Sequence, residues 1–170
     1  TKELGGSLDG IINNAGITQD NLAIRMSLEE WQKVININLT STFLLSKFAI
    51  KKMLKNKSGK IVNITSVVGH TGNLGQANYT ASKAGIVAMT TLWAGELSRY
   101  GIRTGAVAPG ATMTPILQGM REDMLEGMKK GIPLRRIADT EEIFAAIKFI
   151  IECDYFTGRV IDVDGGLRLR

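Results

Sequence analysis

The segment KIVNITS at 60–66 carries β-branched Ile61, Val62 and Ile64 without strict apolar–polar alternation, and IRTGAVAPG at 102–110 likewise places Ala106, Val107 and Ala108 in succession. A strand with one wet face alternates apolar and polar residues. Non-alternating apolar residues of this kind belong to strands covered on both faces, as in a parallel sheet. Parallel neighbours cannot be joined by a tight turn; they need crossovers of about a dozen residues or more, usually helical.

The sequence supplies such crossovers. SLEEWQKVININL opens with Ser27 and has Glu30 three residues on, the capping-box signature of a helix start. Helical spacing continues through Leu39, Phe43, Leu44, Phe48 and Met53, as one long helix or two abutting ones, until Gly59 stops it. A second long helix is expected from Tyr79 to about Ser98, a third over 115–130, and a fourth in DTEEIFAAIKFII with Thr140 as its N-cap. LDGIINNAG and GRVIDVDGG read as the outer strands. This alternation predicts an α/β fold with a parallel sheet, in one unit without internal repeat or linker.

Composition narrows the class. At 170 residues and 44% hydrophobic, the chain can fill a single core. It has no apolar stretch near the roughly 20 residues that span a bilayer. TKELGGSLDG lacks a signal-peptide pattern, and the one cysteine, Cys153, has no internal partner. A cytoplasmic protein without membrane association is expected. The net charge of +5 is concentrated in KKMLKNKSGK, with Arg99 and Arg103 further on. Such a cluster reads either as a solvated helix end favoured by the helix dipole or as a dock for an acidic partner. No aromatic-interleaved basic stripe accompanies it, so nucleic acid is not the expected partner.

Ligands of such folds bind beyond the carboxyl ends of the strands. Three polar sequences are expected there: NNAG (13–16), TS (65–66) and PGATMT (109–114). Ser66 precedes Tyr79 by thirteen residues, and Lys83 follows Tyr79 by four, on the same helical face. Composition alone would produce about 0.2 Tyr-x-x-x-Lys pairs by chance, so the serine at a strand end gives the pair its meaning. A lysine cation within about 6 Å favours the phenolate, which would bring the Tyr79 proton toward the range of acid–base catalysis. Ser66 could then hold a substrate oxygen. No His, Cys and carboxylate spacing suggests a metal. His70 reads as a pocket-wall or solvent residue and Asp162 and Asp164 as strand-end polar residues. Met120, Met124 and Met128 form a helical stripe that reads as core or flexible packing.

Taken in order, NNAG, Ser66, YTASK and PGATMT resemble the short-chain dehydrogenase/reductase family, over Leu8 to Gly166. Within it, GNLGQANYTASKAG, NLTSTF and FTGRVIDVDGG are closest to the 3-oxoacyl-[acyl-carrier-protein] reductases. The resemblance implies a Rossmann-type doubly wound sheet and reduction of a carrier-bound 3-oxoacyl group in fatty acid biosynthesis. NADPH is the implied cofactor, with NAD as the alternative. It makes Tyr79 the proton donor and Lys83 the residue that lowers the tyrosine pKa and holds the nicotinamide ribose. Ser66 becomes the partner of the reacting oxygen, and Asn38 the holder of a relay water. By its own context Asn38 is a mid-helix polar residue that marks a kink. Asn13, Ala15 and Gly16 would line the adenosine side, with Asn13 also steadying the central strands. Pro109, Gly110, Thr112 and Thr114 would stand by the cofactor, Thr114 at its carboxamide. Lys52, Lys57 and Arg99 would receive the acidic carrier. The family also implies a homotetramer built on helices near 37–57 and 79–98, where Ala81, Ala84, Gly85 and Ala88 permit close approach.

Two departures matter. No two glycines stand two positions apart, so the Gly-x-Gly of a pyrophosphate-binding turn is missing. LDGIINNAG resembles the family's fourth strand, so the chain is expected to lack the first three, roughly 75 residues, leaving an apolar strand at an open edge. Gly105 replaces a common asparagine and puts polar anchoring near the crevice in doubt. Two other readings stay open. One is a short-chain dehydrogenase acting on another ketone or alcohol such as a sugar, steroid or acyl-CoA. The other is a catalytically silent fragment that keeps only its assembly helices.

Overall fold

A computed structural model describes residues 6–169. Four strands, β1 (Gly10–Asn13), β2 (Gly59–Ile64), β3 (Ile102–Pro109) and β4 (Arg159–Val163), form one sheet in the order β1-β2-β3-β4. Every pairing is parallel, with Ile12 opposite Val62, Asn63 opposite Ala106 and Ala106 opposite Val160. The expected α/β class is therefore observed.

Both faces of the central strands are covered, as the non-alternating apolar residues require. Ala49 and Met53 of α2 (Ser41–Asn56) and Trp93 and Leu97 of α4 (Ala77–Leu97) close over Ile61 and Ile102 on one face. On the other, Ile143, Ala146 and Ile150 of α7 (Thr140–Glu152) close over Val62, Ile64 and Val107. The glycine in β3 belongs to this second layer. A Cβ on Gly105 would stand 2.6 Å from Ile150 and 2.9 Å from Phe156. The space an asparagine would need is filled by α7, so Gly105 concerns helix packing and not anchoring at the crevice.

The first helical stretch is neither continuous nor simply two helices. α1 (Leu28–Val34) starts at the expected capping box: Ser27 Oγ accepts from Glu30 N–H at 3.1 Å and Glu30 answers Ser27 N–H at 2.7 Å. A π-helical turn over Ile35–Thr40 follows before α2, with Asn38 buried inside it. The Ser41 N–H reaches back to the Asn36 carbonyl, and Thr42 Oγ1 donates to the Asn38 carbonyl at 2.7 Å. The kink expected at Asn38 thus takes the form of a π turn.

Three boundaries differ from expectation. The 115–130 segment is α5 (Pro115–Gln118) and α6 (Glu122–Gly131), separated at Gly119 and an extended Arg121. Met120 lies in that break, so the expected three-methionine stripe is reduced to Met124 and Met128. The N-cap of α7 is Asp139, not Thr140; its N–H donates to Glu142 at 2.9 Å. Helix α4 begins two residues before Tyr79, at Ala77.

Among the described residues, apolar side chains stay uncovered at the sheet edge and on α2. β1 is an edge strand with Ile12 47% exposed, beside an open groove of 390 Å³ lined by Asp9–Ile12, Lys60, Val62 and Ile151. On α2, Phe43, Leu44, Leu45 and Phe48 face outward, with Leu92 of α4 also exposed. No helix among the described residues is long and apolar enough to cross a membrane.

Candidate active site

The carboxyl end of β2 carries three successive residues that all act on α4. The Thr65 N–H donates to the Val107 carbonyl at 2.8 Å, which extends the ladder one residue past the strand and fixes the position of Ser66. Ser66 is 9% exposed, its Oγ accepting from Val68 N–H at 3.2 Å at the start of the short helix α3 (Val68–Thr71). Tyr79 and Lys83 stand one turn apart on α4 and face this strand end. The Lys83 Nζ lies 5.5 Å from the centre of the Tyr79 ring and donates to the Ile64 carbonyl at 2.8 Å.

The electrostatics differ from the simple expectation that Lys83 draws the Tyr79 pKa down. Burial pushes the Tyr79 phenol up from its ordinary value; a hydrogen bond with the Ser66 hydroxyl partly offsets this, and the Asp20 carboxylate adds to the rise. Lys83 itself is pulled down to about 8, because burial disfavours its charge. Desolvation of both groups outweighs their mutual effect in the free chain. The phenol is therefore held protonated, which is the state a proton donor needs.

Asn38 and Gly16 complete the pocket around Lys83. Asn38 Oδ1 accepts from Ile17 N–H at 2.8 Å, and its Nδ2 donates to the Ile17 carbonyl at 2.9 Å and to Ser82 Oγ at 3.2 Å. The buried amide thus pins the segment after β1 against the helices. A Cβ on Gly16 would come within 3.4 Å of both Asn38 Oδ1 and Lys83 Nζ, so the glycine leaves a bare backbone approach there. Ala15 is exposed beside it. Asn13 is buried deeper, its Nδ2 donating to Ser46 Oγ at 2.9 Å and to Asn63 Oδ1 at 2.8 Å. It joins β1 to β2, as a residue steadying the central strands would.

Across the crevice, the end of β3 turns at Pro109 and Gly110. A Cβ on Gly110 would meet the Asp164 Cα at 2.8 Å, so β3 and the segment after β4 lie in close backbone contact. Thr112 Oγ1 donates to the Gly110 carbonyl at 3.3 Å and its backbone bridges to Ala138. Thr114 precedes α5 as its N-cap, its carbonyl accepting from Gln118 N–H at 2.9 Å.

The basic residues stand elsewhere. Lys52 is exposed on α2. Lys57 ends that helix in the left-handed conformation, φ 49°, against Gly101, while Arg99 stacks on Tyr100 with 4.7 Å to the ring centre. These are the amino ends of β2 and β3, the opposite end of the sheet from Ser66 by about 20 Å of strand. His70 is exposed in α3; Asp162 pairs with Arg168, and Asp164 accepts the Gly166 and Arg168 N–H groups. Among the described residues no group of His, Cys, Asp and Glu is placed to hold a metal.

Sequence reasoning missed one residue beside the tyrosine. Asn78 is fully buried; its Nδ2 donates to the Gln19 carbonyl at 2.9 Å and the Glu30 carbonyl at 3.2 Å, and its Oδ1 accepts from Tyr79 N–H at 2.7 Å. It ties the segment after β1 and helix α1 to the start of α4. An asparagine near a helix start was the one signal that pointed to it.

A family model described as Enoyl-(Acyl carrier protein) reductase matches residues 1–168. The chain is 46% identical over 164 residues to a 3-oxoacyl-[acyl-carrier-protein] reductase of Thermotoga maritima, covering 95% of this chain and 67% of that protein. It is 45% identical over 164 residues to an acetoacetyl-CoA reductase of an Acinetobacter species, covering 95% of this chain and 66% of that protein. A crystal structure from Agrobacterium tumefaciens, described as a gluconate dehydrogenase, superposes with a TM-score of 0.92 at 34% identity, over 98% of this chain and 67% of the other. The chain spans about two thirds of the length of the relatives it matches.

Proposed function

The chain belongs to the short-chain dehydrogenase/reductase family, and from that premise we propose that the intact protein reduces the ketone of a carrier-linked 3-oxoacyl group with NADPH. The observation that carries this reading is the convergence of Ser66, Tyr79 and Lys83 at the carboxyl end of β2, with the phenol kept protonated by burial.

The residues present fit a dinucleotide on its nicotinamide side. Gly16, expected on the adenosine side, stands instead beside Lys83 Nζ and leaves open a place there that a Cβ would fill; among the described residues that ammonium bonds only the Ile64 carbonyl, leaving donors for ribose hydroxyls. Ala15 and Gly16 would hold the cofactor from the β1 end, and Pro109, Gly110, Thr112 and Thr114 from the β3 end. When bound, the nicotinamide supplies the hydride. The chain's own part is the proton. Ser66 Oγ donates a hydrogen bond to the ketone oxygen, and Tyr79 delivers its phenolic proton to that oxygen as charge develops on it. Lys83, held near the ring, stabilises the phenolate left behind, which solvent then reprotonates. Asn38 keeps the neighbouring Ile17 backbone in place so that a relay water can be held there.

Lys52, Lys57 and Arg99 are the proposed dock for an acidic carrier, and the outward faces of α2 and α4 the proposed seat of a homotetramer in the cytoplasm. Because the basic residues lie at the far end of the sheet from Ser66, docking there serves a site that the acyl arm reaches along the subunit or on a neighbour. The similarity to an acetoacetyl-CoA reductase favours a second reading, in which coenzyme A carries the acyl group. Rates of NADPH oxidation with acetoacetyl-carrier protein and acetoacetyl-CoA, for wild type and Tyr79→Phe, test both. The proposal expects the carrier substrate to be preferred and Tyr79→Phe to lose nearly all turnover. Retained activity in that variant would overturn the mechanism.

A further inference from the structure

The TS pair at the end of β2 supplies a catalytic candidate in Ser66, but Thr65 has no part in the proton chemistry. Yet Thr65 is 2% exposed, and its Oγ1 donates to the main-chain carbonyl of Lys83 at 2.8 Å. Lys83 lies in the interior of α4, where its carbonyl already has the helix N–H four residues on to accept from. The threonine bond is therefore not needed to satisfy that carbonyl. What it adds is location, because Thr65 is itself fixed to β3 through the Val107 carbonyl.

A second contact holds the same turn. A Cβ on Gly69 would stand 3.0 Å from the Lys83 carbonyl carbon and Cβ and 3.1 Å from Ala84 N, so α3 lies directly against this turn. The Ile64 carbonyl, one residue before Thr65, meanwhile accepts from the Lys83 ammonium at 2.8 Å. We propose that Thr65 is a positioning residue, whose hydroxyl sets where the Tyr79–Lys83 turn of α4 stands over the end of β2, with the Gly69 backbone packed against the same turn.

The inference rests on the reductase reading for its kinetic consequence but not for its geometric one. A displacement near 1 Å in such a site costs on the order of a hundredfold in rate, so a partial loosening should cost about tenfold. Thr65→Val keeps the shape and removes the hydroxyl; Thr65→Ser keeps the hydroxyl and removes the methyl. Both, with Gly69→Ala, are to be compared in the intact protein by kcat and KM, by thermal midpoint, and by ¹³C NMR titration of the Lys83 Cε without cofactor.

Thr65→Val should lower kcat about tenfold with little change in ketone KM, and move the Lys83 titration up from about 8 toward 10.5. Thr65→Ser should restore both to within about twofold of wild type. Gly69→Ala, which presses on the same turn, should also lower kcat and shift the lysine, and it carries the test should Thr65→Val not fold. The proposal is overturned if the valine and serine variants behave alike, or if the Lys83 titration and kcat stay at wild-type values in Thr65→Val or Gly69→Ala. Absence of ketone reduction by wild type would defeat the reductase reading instead, while the lysine titrations would still decide the positioning role.

Discussion

The Lys83 ammonium is buried beside the Tyr79 ring, 5.5 Å from its centre, with a 2.8 Å hydrogen bond to the Ile64 carbonyl. One carbonyl compensates little of the hydration that burial removes, and so the group's pKa falls to about 8 from 10.5. Below pH 8 both folded and unfolded chains carry the proton, and the folded state bears the whole cost of burying the charge. Between about 8 and 10.5 the unfolded chain holds more protons, so stability rises with pH. Lys83→Met removes this dependence. The stability difference between wild type and that variant, from urea unfolding, should shift in favour of wild type by about 2 kcal/mol from pH 8 to 10. A difference that stays flat over that range would contradict the lysine's buried charge.

Gly105 gives a prediction opposite to the one its sequence context suggests. An asparagine there would not restore an anchor at the crevice; it would drive its side chain into Ile150 and Phe156, which stand 2.6 and 2.9 Å from the nearest added atom. Overpacking of this kind costs about 1–3 kcal/mol. Gly105→Asn should lower the denaturation midpoint accordingly while leaving substrate KM close to wild type, since the crevice lies beyond Pro109. An unchanged midpoint would mean that α7 shifts freely over β3.

The differing fates of particular residues show what the sequence could reveal. Ile61 and Val62 predicted a strand buried on both faces because their apolarity does not alternate, and Ser27 and Glu30 predicted a helix start because the capping box is a local bond pattern. Both are one-dimensional signals. Ser66, Tyr79 and Lys83 were legible because a strand end and one helical turn suffice to bring them together. The role of Thr65 was not legible, since a threonine next to a serine says nothing about a carbonyl eighteen residues away. The pKa of Tyr79 was misjudged for a related reason: spacing shows which charge is near, but only the packed structure shows how much water has been lost. The π turn at Asn38 reflects tertiary bonds to Ile17 and Ser82, which helical periodicity cannot express.

A buried polar ladder crosses the sheet beneath the site and has its own test. Asn13 Nδ2 donates to Asn63 Oδ1 at 2.8 Å, Asn63 Nδ2 to Thr90 Oγ1 at 2.8 Å, and Thr104 Oγ1 to the Thr90 carbonyl at 2.7 Å. Asn63 is fully buried, so Asn63→Ala opens space, leaves the Asn13 amide with Ser46 Oγ alone and takes the Asn63 donor from Thr90 Oγ1. Unmade bonds to buried groups cost about 1–3 kcal/mol each, so the variant should lose about 3 kcal/mol. Its effect and that of Asn13→Ala should be less than additive, because the two share one bond. Additive losses in a double-mutant cycle would show that the ladder is not coupled.

The outward face of α2 makes the last prediction. Its inner side is occupied by Thr42, Ser46, Ala49 and Met53, all buried, while Phe43, Leu44 and Phe48 remain 44%, 44% and 62% exposed. Clustered apolar side chains of this size mark an interaction surface. In the proposed tetramer each Phe48 would be covered by a neighbour, gaining about 2 kcal/mol, which is roughly thirtyfold in association per copy. Phe48→Glu replaces that gain with the cost of burying a carboxylate, and the sedimentation coefficient of the intact protein should fall to that of a smaller species at micromolar concentration. Phe48 is exposed on the outer side of α2 whereas Lys83 is 4% exposed with its ammonium on the Ile64 carbonyl, so the Lys83 titration should be unaffected. If Phe48→Glu sediments like wild type, the assembly does not use this face of α2.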